Sequence, residues 1–438
     1  MSKAKMTLVA AAWALLGAGT AQAQGHPKLA FLIPTLYGPD GLKVDSAARL
    51  PSGETHSAHF NSAFQAEFAQ FNIALASQLA AVPLPSPASG FTYSLDPGLG
   101  VWERSTQSFG PIFAERSETI GRHKLSMGFN YQRFAFDTLE GLSLGALPAV
   151  FTHDNPAPGG RADVVATTNS IDIGVDRFTA VFTYGMLDRL DVSLAVPMVS
   201  VDLAVASEAT IERIGTAASP ATHFYGDPDS EDGFGSHRHF GQSGSASGIG
   251  DLLVRLKGTV VKTGRTGLAL GTDLRLPTGD EEDLLGSGAW GAKPFLALSF
   301  AWGKAAPHLN LGYEWNGRSV LAGNVVTGEK ERLPGQFLYA AGVDVGVNQR
   351  LTVAVDVLGR RVLDSPRLRT RSFTALDGQT VLPDIHFVRG SFNVTDAALG
   401  LKFNVVGKLI LDVNVLVSLD RAGLRDKVTP LFGLEFSR

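Results

Sequence analysis

The sequence predicts an all-β fold: a closed, up-and-down transmembrane antiparallel β-barrel of about twelve strands, twelve to fourteen at the limits, preceded by an N-terminal amphipathic helical segment. Three observations predict it. Segment after segment alternates apolar and polar residues with the period of two that marks a strand with one oily face. The links between these segments alternate long and short, as consecutive antiparallel strands require when tight turns gather at one end. Finally, the chain after residue 123 carries no helical period that could supply a second layer over the oily faces, which leaves lipid as their cover.

The elements follow in order. Lys3 and Lys5 precede the apolar run TLVAAAWALLGAG, and Ala21 and Ala23 stand at a small-x-small cleavage position, so residues 1–23 read as a secretory signal peptide. The run is shorter than the roughly 20 residues of a spanning helix. Residues 24–122 form an irregular N-terminal segment rich in proline and glycine. Within it, Phe60, Phe64, Phe68, Phe71, Leu75 and Leu79 recur at spacings of three and four, one face of a helix. Pro83 to Gly90 then ends that helix. Residues 123–438 hold the alternating segments, from HKLSMGFNYQRFAFD to VTPLFGLEF. FTYSLD and GVWERS, between Phe91 and Ser105, offer a further hairpin that would raise the count to fourteen.

In the stretch LILDVNVLVSL, Leu411, Val413, Val415 and Val417 are expected to face acyl chains, and Asp412, Asn414 and Ser418 the lumen. Outer-membrane barrels keep short turns in the periplasm and long loops outside, which orients the chain. Phe432, Leu434 and Phe436 form a C-terminal lipid-facing signal for the outer-membrane insertion machinery.

Composition excludes several classes. A formal net charge of −4 with no basic block argues against nucleic acid as a partner, and the absence of cysteine removes disulfides and thiolate metal sites. No phosphate loop, zinc motif or nucleotide fingerprint appears, so no cofactor is expected. His123, His308 and His386 fall at expected strand ends with no serine and acid placed beside them by spacing, and no enzyme is expected. In the loop from Asp227 to Phe240, Asp227 and Asp229 are spaced as calcium ligands. Asp232 then takes the glycine position and Arg238 that of the closing glutamate, so it reads as a solvated outer loop.

Three stretches, ERSETIGRHKLSMGFNYQRFAFDTLEG, LRLPTGDEEDLLGSGAWGAKPFLALSF and HLNLGYEWNG, resemble the outer-membrane proteins grouped under the MetA pathway of phenol degradation. More loosely, an N-terminal segment before a barrel is similar to the FadL-type transporters of hydrophobic compounds. The resemblance implies an outer-membrane barrel that moves small hydrophobic or aromatic solutes, and it supplies no catalytic residues.

By parity, Asp172, Asp191, Asp251, Arg255, Lys257, Asp273, Arg275, Glu314, Asp344, Asp356, Lys402, Asp412 and Glu435 are assigned to the lumen. Of these, Asp251, Arg255, Arg275, Glu314, Asp344 and Asp412, together with Phe60, Phe64, Phe68 and Phe71 of the helix, are the candidate substrate contacts. The charges could select solutes or merely pair with one another and with water. Gly271, Gly312, Gly342, Gly346, Ala354 and Gly400 on the same face leave volume, and the Phe-bearing helix is the candidate plug for it. The other reading of the helix rests it on the inner leaflet or the periplasmic turns. The expected function is passive uptake of small hydrophobic or aromatic compounds; a non-conducting structural or adhesive barrel and a general diffusion porin are the alternatives.

Overall fold

The computed structural model describes residues 28–38, 41–43, 59–61, 71–74, 93–96, 101–104, 107–153, 163–214, 223, 225 and 235–437. The signal peptide, Phe64, Phe68 and most of the calcium-like loop lie outside them.

Twelve strands close on themselves. They are β1 (Leu125–Phe136), β2 (Val164–Leu187), β3 (Leu190–Glu212), β4 (Leu252–Thr263), β5 (Thr266–Leu276), β6 (Gly291–Phe300), β7 (Ala305–Asn316), β8 (Gln336–Gly346), β9 (Leu351–Thr374), β10 (Val381–Val406), β11 (Leu409–Ser418) and β12 (Val428–Ser437). Each pairs antiparallel with the next, and β12 pairs with β1, with Leu434 opposite Phe129. Closure leaves no edge, so backbone groups within the bilayer are satisfied by neighbouring strands. The inner end is the one with short turns and both barrel termini; at Gly407 a positive φ of 59° lets a two-residue turn join β10 to β11.

The outward face toward the inner end is apolar. Leu411 and Val413 are 42% and 45% exposed, while Asp412 and Asn414 between them are buried in the lumen. Aromatic side chains stand at both rims: Tyr184, Trp302 and Phe436 at the inner one, Trp290, Trp315 and Phe337 at the outer one. A closed barrel with this belt and these girdles is a transmembrane barrel of the outer-membrane type.

The hairpin of Tyr93–Asp96 with Val101–Arg104 forms as a separate two-stranded sheet, and the barrel has the expected twelve strands. Three expectations are corrected. Phe60 begins no helix; it lies in the short strand His59–Asn61, paired with Leu42–Lys43 and with His153. Residues 71–74 are helical. Asp172 faces outward and is exposed, whereas Ile171, Ile173 and Val175 face inward. Here β2 has risen above the apolar belt, and the wall follows the rule of a water-soluble barrel, apolar within and polar outside. For the same reason the stretch between RRVLDS and RGSFNV, which reads as a long loop, continues as strand: β9 and β10 reach 24 and 26 residues and turn only at Ala375 to Thr380.

Candidate functional site: a luminal chamber between an inner arch and an outer cap

Gln107 to Gly121 forms an arch across the inner half of the lumen. Gly110, with a φ of 91°, and Pro111 turn the chain so that three successive N–H groups converge on one carboxylate oxygen. Ile112, Phe113 and Ala114 donate to Asp356 Oδ2 at 3.0, 3.0 and 3.4 Å. This is a backbone nest around a wall anion. Asp356 is held from its other oxygen by His308 Nε2 at 2.7 Å. At the crown of the arch, Glu115 exchanges two hydrogen bonds with Asn310, its N–H donating at 2.5 Å and its carbonyl accepting at 2.8 Å. Its carboxylate pairs with Arg255 and with Lys257 Nζ, the latter at 3.0 Å. Arg116 pairs with Asp344. On the descending limb, Ser117 N–H donates to Ser299 Oγ at 2.8 Å, and Ile120 N–H to Asp191 Oδ2 at 3.0 Å.

The opposite side of the arch is greasy. Ile112 and Phe113 pack against Ala354, Ala398, Leu416 and Leu431, and Phe109 packs on Ile410. Luminal glycines admit it. A Cβ at Gly400 would stand 2.7 Å from Ile112 Cδ1, one at Gly346 2.8 Å from the Gln107 carbonyl, and one at Gly185 1.9 Å from the Gly121 carbonyl. The volume that small luminal residues leave at these positions is thus filled by the arch.

At the outer end the N-terminal residues 28–38 form a cap. Leu29, Leu32, Leu36, Leu42, Phe60 and Phe71 join Val201, Leu203, Leu284 and Leu321 in one apolar cluster. Tyr37 anchors the cap through Asn169 Oδ1 and Ser207 Oγ, both at 2.9 Å, and its ring meets Phe151 and Phe240 edge-on.

Between arch and cap lies a chamber of ≈230 Å³, floored by Phe113 and Glu115 and bounded above by Phe134, Phe136 and Leu285. Its walls combine Phe295, Leu253 and Leu338 with a ladder of ions. Arg255 grips Asp273 with two bonds, at 2.6 and 2.7 Å, and Lys293 reaches the same carboxylate at 2.8 Å. Arg275 pairs with Glu314 at 2.7 Å and donates to Asn316 Oδ1 at 2.6 Å. Arg425 pairs with Asp396 at 2.6 Å. The guanidinium of Arg255 also lies 5.1 Å from the centre of the Phe295 ring, whose tip fills the space left by Gly271.

The sequence-assigned contacts divide accordingly. Arg255, Arg275 and Glu314 line the chamber. Asp251 does too, but its carboxylate is committed to the loop between β5 and β6, accepting from Ser287 N–H at 2.8 Å, Ser287 Oγ at 2.6 Å and Gly279 N–H at 3.2 Å. Asp344 binds the arch. Asp412 sits at the inner end under Asn414 Nδ2, 2.6 Å away, opposite Lys402 on β10. Phe60 and Phe71 belong to the cap cluster. Glu115, Arg116, Asn310 and Arg177 were not singled out from the sequence. The parity rule that located Arg255 also reaches Asn310 and Arg177, but nothing in the aperiodic QSFGPIFAERSETI marks it as an arch.

The fold and the chamber define a plugged transmembrane β-barrel of the outer-membrane type. Residues 153–355 match the family model described as Putative MetA-pathway of phenol degradation. No curated protein sequence matches. Among solved structures, the COG4313 outer membrane channel from Pseudomonas putida F1 is 13% identical with a TM-score of 0.43, over 74% of this chain and 98% of that one. A Pseudomonas aeruginosa FadL homologue is 12% identical with a TM-score of 0.31, over 80% and 94%. The Ralstonia pickettii toluene transporter TbuX is 11% identical with a TM-score of 0.27, over 72% and 90%. At these TM-scores the likenesses add nothing to the barrel already described.

Proposed function

We propose that this barrel is an outer-membrane channel for passive uptake of small hydrophobic or aromatic compounds, opened when the arch moves. The observation that carries the reading is the chamber itself: a space in a membrane-spanning lumen, with aromatic and aliphatic walls between ion pairs. Apolar walls offer a solute a place to leave water, and the ion pairs keep the remaining space hydrated. The match of residues 153–355 to a phenol-degradation family model supports aromatic solutes. The arch is tied to the wall by hydrogen bonds and ion pairs that water can replace, which suits a movable gate.

Liposome swelling with the purified protein tests this. Uptake of single-ring aromatic alcohols with exclusion of small sugars is the expected result. Absence of uptake of any solute would favour a structural or adhesive barrel, and equal uptake of sugars a general porin.

A further inference from the structure

We propose that Arg177 anchors a binding site for a small aromatic carboxylate in the chamber; this rests on the channel reading and names a substrate class for it. Arg177 lies on β2, is 8% exposed and lines the chamber. Among the described residues no carboxylate forms an ion pair with it; its side chain makes a long hydrogen bond, from Nε to Thr179 Oγ1 at 3.4 Å. Four neighbouring cations differ. Arg255, Lys293, Arg275 and Arg425 each hold an acid at 2.6–2.8 Å. Asp251, whose charge Arg177 feels, already serves Ser287 and Gly279.

A buried guanidinium without an anion is costly, and an incoming carboxylate relieves that cost. Its planar fork matches a carboxylate with two parallel bonds. The surroundings choose the rest of the ligand. Arg177 pairs in register with Gln132 on β1 and Val199 on β3; one step outward along the luminal face, Val175 pairs with Phe134. The Phe134 ring is stacked on Phe136, with centroids 5.8 Å apart and planes 9° from parallel. A cation beside a flat apolar wall fits a molecule with a carboxylate at one end and a ring at the other. A void needs only about 10–15 Å³ on this measure to hold a water. At ≈230 Å³ the chamber therefore has room for a one-ring acid. Phenols, with a pKa of about 10, are neutral at pH 7 and gain less from the same arginine.

The test uses the full-length purified protein, with benzoate and benzyl alcohol as probes, in calorimetric titration and in proteoliposome uptake. Arg177→Gln and Arg177→Lys are compared with the wild type after each is shown to keep the heat-modifiable migration of a folded barrel. The expected result is saturable benzoate binding that weakens by about tenfold or more in Arg177→Gln, with Arg177→Lys between the two. The ratio of benzoate to benzyl alcohol uptake falls with it. An unchanged ratio in Arg177→Gln overturns the proposal, as does a wild type that passes benzyl alcohol but does not bind benzoate; the channel reading survives both. If the wild type passes neither solute, the channel reading falls and this inference with it.

Discussion

Toward the inner end of β3, Leu194 and Met198 point outward and are 38% and 42% exposed; toward its outer end, Val201, Leu203 and Val205 point inward and are buried. One strand thus reverses which of its faces is greasy without breaking its alternation of sides. Inside the bilayer, lipid covers the wall and the lumen holds ions, water and the polar arch. Above it, water covers the wall and an apolar cap fills the lumen. The two obstructions differ accordingly: the arch is held by directional, charge-assisted bonds, the cap by packing. Directional bonds fail together once a shared acceptor is lost, whereas packing fails in proportion to the volume removed.

The largest expected effect comes from the shared acceptor. Asp356→Ala leaves three arch N–H groups and His308 facing an empty site, at a cost of about 3–5 kcal/mol, the range for breaking a buried charged cluster. Amide hydrogen exchange should lose protection from Phe109 to Ser117, with protection at the cap unchanged. Asp356→Asn, which keeps one acceptor, should do less. Equal loss of protection at arch and cap would mean that the two are one unit. Gly185→Ala places a methyl 1.9 Å from the Gly121 carbonyl and should cost about 1–3 kcal/mol through overpacking, read as a lower midpoint of heat modification.

Effects at the cap should be smaller and should leave conductance alone. Burial raises the Tyr37 hydroxyl to a pKa of about 12, so it enters its two hydrogen bonds uncharged. Tyr37→Phe should lower thermal stability by about 1 kcal/mol. The least effect is expected from Lys28, which bridges Asp280 at 2.7 Å and Asp283 at 2.6 Å with its side chain 40% exposed. Lys28→Ala should cost about 0–1 kcal/mol and less in high salt. Partial burial opposes ionisation of Asp280, but the hydrogen bonds from Lys28 and from the N–H groups of Asp283 and Glu282 outweigh it and hold the carboxyl below its usual range. Its folded value is thus under the unfolded one of about 3.9, so the contribution is complete above about pH 4 and is lost as the pH falls through the folded value. A melting curve of Lys28→Ala that tracks the wild type below that pH and falls short of it above checks the sign.

Much of the site could be read from parity. Arg255, Lys257, Asp273 and Arg275 alternate along β4 and β5 with residues that need lipid, so their luminal direction follows from chemistry on single strands. Asp172 could not be placed this way, because the apolar residues beside it, Ile171 and Ile173, look the same whether they meet lipid or a cap. The chamber's floor was hidden for a different reason. Glu115 and Arg116 stand in a stretch without period, and their partners, Arg255 and Asp344, lie 140 and 228 residues away. The luminal excess of glycine was visible; what it admits was not.

What the sequence determined by itself is the wall: twelve strands, their order, and the lipid face of the belt. Side-chain alternation and turn chemistry act over a few residues, and a closed meander joins each strand to its sequence neighbour. Only the tertiary structure decided what blocks the lumen, which wall acid the arch shares, and that Arg177 has no carboxylate partner among the described residues. Those outcomes depend on which distant side chains meet across the barrel, and no local pattern encodes a meeting across empty space.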